Sequence, residues 1–371
     1  MKVIRQGIVP KSEKFSHLKS ITFPNMALLP SGRVLAGFRA ANIKTDPEFQ
    51  KALMTFSDDG GENWTEAFEP FHIQPIEGKP GRAHSLYLLP LGGSKVLLMA
   101  NWVDHSSPDL PFYEPSDQHL KDTRIFFCLS NDNGNTWSLP EFIDTTKAHG
   151  PTPLTGAPLL LEDNTIACQF EINKYAHDPE PWIHRSALIF SEDLGKTWKN
   201  FVEVTRYPGI YYWDQRPATM QAPGKLINFF WTFDGFSNTY RNIHASLSAD
   251  YGKNWSKPFD TGIYGQPGTP VDMGEKGLFT IAIDRRKSPT ITIRNSDDEG
   301  KTYKNYLKIY QQAGKGQDSE SMGLNQAWDE MYSFTTGHPH LLKISGNKLL
   351  AYFYSGRSTD ETAIHWMEIQ L

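Results

Sequence analysis

The sequence predicts an all-β fold, a six-bladed β-propeller of four-stranded antiparallel blades that occupies residues 1–371 as a single domain. Three observations carry that reading. One octapeptide recurs five times along the chain. A strand–turn–strand pattern recurs six times. The last of those six units lacks an outer strand, and the N-terminus can supply one.

The octapeptide reads Ser-x-Asp-x-Gly-x-(Thr/Asn)-(Trp/Tyr). Its copies begin at Ser57, Ser130, Ser191, Ser248 and Ser296 and end at Trp64, Trp137, Trp198, Trp255 and Tyr303. Fixed positions repeated at this period mark a repeat architecture. The chemistry is that of a hairpin tip. Gly61, Gly134, Gly195, Gly252 and Gly300 supply a backbone conformation that is costly for other residues. Asp59, Asp132, Asp193, Asp250 and Asp298 can accept hydrogen bonds from the turn backbone. The closing aromatic covers the turn. Each copy follows a strand-like run such as Arg124-Ile125-Phe126-Phe127-Cys128-Leu129. Before each run stands an apolar strand, a Gly/Asp/Asn turn and a second apolar strand, at residues 23–38, 84–100, 158–170, 217–230, 270–283 and 339–353. The sixth unit has no octapeptide and ends with a strand at 363–369. Residues 2–8 are expected to pair there and remove the open edge.

Length alone suggests two or three domains of ~100–200 residues, but six blades of roughly 60 residues account for the whole chain. Aromatics at 13%, with 29 Gly and 25 Pro, suit half-buried strands joined by many turns. The balance of 37 basic and 42 acidic residues, without runs of like charge, argues against nucleic acid as a partner. No apolar stretch approaches the ~20 residues that span a bilayer, so no membrane insertion is expected. Residues 1–7 lack the apolar core of a secretory leader. The expected location is cytoplasmic, or secreted or periplasmic if the chain has been trimmed. Cys128 and Cys168 sit in strand-like runs and are expected to be reduced core thiols. No phosphate loop, dinucleotide motif or Ser-His-Asp signature appears, so no cofactor is expected.

The octapeptide resembles the Asp-box, or BNR repeat, of the sialidase (neuraminidase) superfamily, and nearly the whole chain resembles that family's six-bladed propeller. The resemblance implies that the Asp-boxes lie on the rim, away from the active site. It places the active face where the innermost strand of each blade begins and its second strand ends. It also implies three arginines for a sugar carboxylate, a tyrosine nucleophile paired with a glutamate, and an aspartate acid/base. Thr22, in Ile21-Thr22-Phe23-Pro24, stands where the first arginine belongs. The glutamate falls near Asp214 or Gln215, and the second arginine falls on Trp231. The third falls near Ser288 and Pro289, with Arg285 and Arg286 close by. His338 stands in the tyrosine's place, and Asp46 and Glu48 are the acid/base candidates. Thr22 and Trp231 cannot make bidentate contacts to a carboxylate. With the mild net charge, the missing arginines give no sign of a site built for a strongly acidic sugar.

The residues themselves suggest other chemistry. Glu171 ends the second strand of the third blade and suits general acid or base work, with Asp214 as partner. His338 is expected to act as acid, base or sugar ligand. His340 shares its face if the strand alternates, and His84 opens the second blade at the equivalent place. Three histidines at unpatterned, long-range spacing do not make a convincing metal site, so none is expected. Arg39, Arg82 and Arg216 are expected to hold the sugar, with His84, Trp231, Asp284 and His340 as further contacts. Long segments at 104–122, 174–182 and 311–328 read as binding loops or lids. The expected function is an exo-acting glycoside hydrolase working on a terminal sugar of an oligosaccharide or glycan. The alternative is a glycan-binding propeller without catalysis, and below both ranks a true sialidase with a rearranged arginine cluster.

Overall fold

The computed structural model describes all residues except 47–49, 177, 315 and 317–321. Six antiparallel sheets follow one another as the blades of a propeller. Blade 1 consists of Ser20–Leu28, Val34–Ala41 and Gln50–Ser57. Its fourth strand is reduced to one bridge, with Met54 and Phe68 exchanging both backbone hydrogen bonds at 2.9 Å. Blade 2 contains Gly81–Gly92, Lys95–Asp104, Thr123–Ser130 and Glu141–Phe142. Blade 3 contains Leu159–Leu160, Ile166–Ile172, Arg185–Ser191 and Lys199–Arg206. Blade 4 contains Ile210–Thr219, Leu226–Asp234, Asn242–Ser248 and Phe259–Tyr264. Blade 5 has a broken innermost strand, Gln266–Pro267 and Val271–Asp272, followed by Leu278–Asp284, Thr290–Ser296 and Lys304–Gln311. Blade 6 contains Thr336–Ser345, Lys348–Ser358 and Glu361–Gln370, with Lys2–Val9 as its outer strand. Lys2 lies opposite Gln370 and Val9 opposite Ile364, so the first and last strands pair as the sequence suggests.

The second strand of each blade is the most apolar because both of its faces meet a neighbouring blade; Val34–Ala41 and Leu226–Asp234 are buried throughout. The core is therefore a ring of separate clusters between adjacent blades. The cluster that closes the ring joins Met26 and Phe38 of blade 1 to Tyr352, Ile364 and Trp366 of blade 6. Cys128 and Cys168 are buried free thiols within two of these clusters, and burial pushes the Cys128 thiol up to about 12.

Each fixed position of the octapeptide has a hydrogen-bonding reason. In the copy at Ser130, the serine Oγ donates to Asp132 Oδ1 at 2.8 Å and accepts from the Gly134 amide at 2.9 Å. Asp132 Oδ1 also accepts from the Thr136 amide at 2.9 Å, and Trp137 Nε1 donates to the Gly134 carbonyl at 3.2 Å. The glycine has φ 82°, and a Cβ there would stand 3.0 Å from Leu35 of blade 1. The turn thus also locks one blade to the one before it. Blade 6 has no such turn, and Met1, Val3 and Leu371 pack against the blade 5–6 cluster instead.

Two insertions rise from one end of the propeller. The first carries the short hairpin Tyr113–Glu114 with His119–Leu120, and the second carries the ten-residue helix Leu324–Ser333. The helix is the one α-helical element among the described residues of a molecule otherwise built from strands.

Candidate functional site

The innermost strands of four blades carry a β-bulge at the same end. The register shifts between Thr22 and Asn25, Ala83 and Leu86, Trp213 and Arg216, and Gly337 and His340. In three of them the bulge holds a non-glycine residue in the left-handed region: Phe23 at φ 51°, Asp214 at 50° and His338 at 46°. Such a conformation costs about 1–3 kcal/mol per residue and persists only where surrounding contacts fix it. Phe23, Asp214 and His338, with His84 of the fourth bulge, line one cavity of about 180 Å³.

Glu171 and Asp214 meet at this cavity. The Asp214 amide donates to Glu171 Oε1 at 2.6 Å, which anchors the strained bulge to blade 3 through a charge-assisted bond. Glu171 Oε2 lies 3.1 Å from Nε2 of the buried His184. The contact lies within ion-pairing distance but is off hydrogen-bond alignment, so His184 keeps two ring nitrogens without a formal partner. Asp214 Oδ2 accepts from Gln266 Nε2, and Gln266 Oε1 accepts from Arg285 Nη2 at 2.6 Å. Gln266 therefore links the acidic side of the cavity to a basic one.

That basic side holds Arg39, Lys44 and Arg285, all buried. Among the described residues, their hydrogen bonds end on neutral oxygens. Arg39 Nε reaches Gln50 Oε1 at 2.6 Å, Lys44 Nζ reaches the Phe334 carbonyl at 2.9 Å, and Arg285 Nε reaches the Thr336 carbonyl at 3.1 Å. Burial lowers Arg39 to about 10, with Asp46 the acidic charge that opposes the shift. Burial and the flanking Arg285 and Arg39 push the Lys44 amine well below its ordinary value. Burial and then Arg39 and Lys44 lower His84 to about 3. His338 is pushed well down by burial, Arg216, Lys44 and Arg285. The cavity histidines are thus neutral rings near pH 7, each with one donor and one acceptor.

The two insertions roof the cavity. Tyr113 stacks on Trp328 at 4.5 Å with the rings 9° apart, and its Oη donates to Asn325 Oδ1 at 3.0 Å. Lys44 Nζ holds the carbonyls of Met331 and Phe334, where the helix ends. Phe112, Leu120, Trp328, Met331 and Tyr332 face the cavity from this roof, above Trp213 and Trp231.

Of the residues chosen from sequence, Glu171, Asp214, His338, Arg39, His84 and Trp231 come together on this cavity. Arg216 lies fully buried and off the lining; its Nη2 is 3.5 Å from Asp214 Oδ1. His340 keeps its ring 6.3 Å from that of His338 but stands off the cavity lining, where its Nδ1 meets Thr269 Oγ1 at 2.8 Å. Arg82 and Asp46 line a neighbouring cavity. Asp284 lines neither, and its carboxylate is held by Arg286 at 2.6 Å. Glu48 lies outside the described residues. The sequence reading found no sign of an anion site, yet three buried cations stand on one wall. Arg285 was signalled by its closeness to the third arginine's expected place. Lys44, Gln266 and His184 had no local signal, because each arrives from a loop or strand start whose direction only the tertiary fold sets. Among the described residues, no group of three or more His, Cys, Asp or Glu is placed to hold a metal ion, and no helix is long and apolar enough to cross a membrane.

Residues 110–332 match the BNR repeat-like domain. The chain belongs to that family. No curated protein matches this BNR repeat-like chain. Several solved structures share its fold at low identity. A protein of unknown function from Dyadobacter fermentans is 16% identical with a TM-score of 0.76, over 100% of this chain and 99% of that one. The Hadza microbial sialidase Hz136 is 17% identical with a TM-score of 0.65, over 96% of this chain and 66% of that one. The intramolecular trans-sialidase from Ruminococcus gnavus, in complex with oseltamivir carboxylate, is 14% identical with a TM-score of 0.63, over 95% of each chain. The BNR repeat-like protein therefore has a sialidase-like propeller, a fold that does not by itself fix the chemistry of its cavity.

Proposed function

We propose that this propeller is a carbohydrate-active enzyme, an exo-acting glycoside hydrolase whose roofed cavity takes a terminal sugar. One observation carries the reading: Glu171 and Asp214 line a single cavity and are joined through the Asp214 amide, while aromatic rings supply the facing surface. Glu171 and Asp214 serve as the acid/base carboxylates, and neutral His338 serves as base or sugar ligand. Crowding of Arg39, Lys44 and Arg285 is relieved by an anionic substituent, so the terminal sugar is one that carries a carboxylate. Arg82, Arg216, Asp284 and His340 then take no direct part in holding this ring.

The test is a panel of aryl glycosides that includes neutral hexosides, uronides and a sialoside. Hydrolysis of an acidic member, lost in Glu171→Gln and Asp214→Asn while the fold is retained, is the expected result. Full activity in both variants would remove the two carboxylates from the chemistry. A second reading, glycan binding without catalysis, is favoured by the fact that both oxygens of Glu171 already face protein partners. It predicts retention of an acidic glycan with no product formed.

A further inference from the structure

A second cavity of about 310 Å³ opens beside the roofed one. The two share Arg39, Lys44, His84, Phe112 and Tyr332 as a common wall. The Phe112 ring lies parallel to that of His84, with centroids 5.3 Å apart, so a stacked pair stands at the border. Beyond it the wall changes character. Arg82, His105 and Lys121 stand with Asp104 and Asp109, and Leu110 adds apolar surface from the insertion. The Lys121 amine donates to the Ser107 carbonyl at 2.7 Å, so this side is tied to the loop that forms it.

The two cavities differ in what they can hold. The inner one sets its cations against Glu171 and Asp214 under an aromatic roof, whereas the outer one adds Arg82, Lys121, Asp104, Asp109 and apolar loop surface to the Arg39 and Lys44 it shares. Such a lining fits a polyhydroxylated ring, whose hydroxyls both donate and accept and whose C–H face is apolar. It does not fit a purely apolar group. At about 180 Å³ the inner cavity also lies below the roughly 300–1,000 Å³ of ordinary small-molecule sites, a range that the outer one enters.

We infer that the outer cavity is a second sugar subsite, and that the ligand is at least a disaccharide. Its terminal ring occupies the roofed cavity, and its next ring lies beyond Phe112 against Arg82 and the loop that carries Leu110. This rests on the proposed reading of the roofed cavity as a sugar site.

The experiment uses the full chain carrying Asp214→Asn, applied to an array in which each acidic terminal sugar is printed both alone and as the end of di- and trisaccharides. Retention of the extended glycans at least tenfold above the matching monosaccharides is expected. Adding Phe112→Ala should abolish that gain, and Leu110→Ala, at an exposed loop position that cannot unfold the propeller, should reduce it. Equal retention of a monosaccharide and its extended forms overturns the second subsite and leaves the terminal-sugar reading standing. An unchanged gain in both loop variants also overturns it. Retention of no sugar by either the variant or the native chain overturns the sugar reading, and the second subsite with it.

Discussion

Gly268→Ala should destabilise the protein where blades 5 and 6 meet. A Cβ at Gly268 would stand 1.8 Å from the carbonyl oxygen of Pro339 and 2.6 Å from Ile281 Cγ2. The first contact is with backbone, and that backbone is the bulge between His338 and His340. The neighbouring Thr269 carbonyl accepts from the Leu341 amide at 3.2 Å, so the two strands cannot part without losing a bond. Overpacking of a tight core costs about 1–3 kcal/mol, and a backbone clash belongs at the upper end. An unfolding entropy of ~2.1 cal/mol/K per residue over 371 residues gives roughly 0.8 kcal/mol/K, so ~3 kcal/mol lowers Tm by about 4 °C. The control is Gly346→Ala, where a Cβ meets nothing within 4 Å. Differential scanning calorimetry of both variants beside the native chain measures the contrast. Equal midpoints for the two would refute the claim that close approach, rather than glycine's flexibility, fixes Gly268.

Three further outcomes are expected. His84 holds a folded-state value of about 3 against an ordinary 6.5. The unfolded chain therefore binds the proton first, and stability falls as pH drops below 6.5, by about 2 kcal/mol at pH 5. His84→Gln should flatten that part of a Tm–pH curve, and an unchanged slope would count against a neutral ring at this half-buried position. Asp193 is held at about 2, chiefly by the Thr197 hydroxyl and amide, with Ser191 helping. Its stabilisation is complete above about pH 4 and is lost as pH falls through 2, so the Tm gap between the native chain and Asp193→Asn should close across that window. Tyr113→Ala removes a ring stack worth about 0.5–1.5 kcal/mol beyond its buried area. Hydrogen exchange should accelerate in Leu324–Ser333 and Tyr113–Leu120 while blade amides keep their rates. Uniform acceleration would mean that the roof and the propeller unfold together.

The parts of this structure written in short-range pattern were legible in the sequence. The octapeptide turns, the paired apolar strands and the outer strand at Lys2–Val9 follow from local chemistry and the need to close a sheet edge. The six residues that do gather on the cavity were found because the inner ends of the strands could be counted. What failed was direction. A left-handed residue at a bulge is usually announced by glycine, but Phe23, Asp214 and His338 carry no such mark. The alternation rule put His340 beside His338, and the rings do meet, but His340 stands off the lining. Arg82 missed by one cavity because Phe112, from an insertion some thirty residues on, stands between the two. Lys44 was invisible because its role depends on a helix end nearly three hundred residues away.

The pairing of Lys2–Val9 with Glu361–Gln370 also sets the order of assembly. At a synthesis rate of about 5–20 residues per second, the first strand waits roughly 20–70 s for its partner to be made. Five blades can stack progressively while it waits, but blade 6 cannot exist as a complete sheet until Glu361–Gln370 has emerged. The ring therefore closes late, through the longest loop in the molecule, and such distant contacts form slowly. Until then the free edge of the waiting strand and the open flank of blade 1 are the surfaces most exposed to another chain. Conditions that slow closure should favour intermolecular exchange of this one strand over general aggregation.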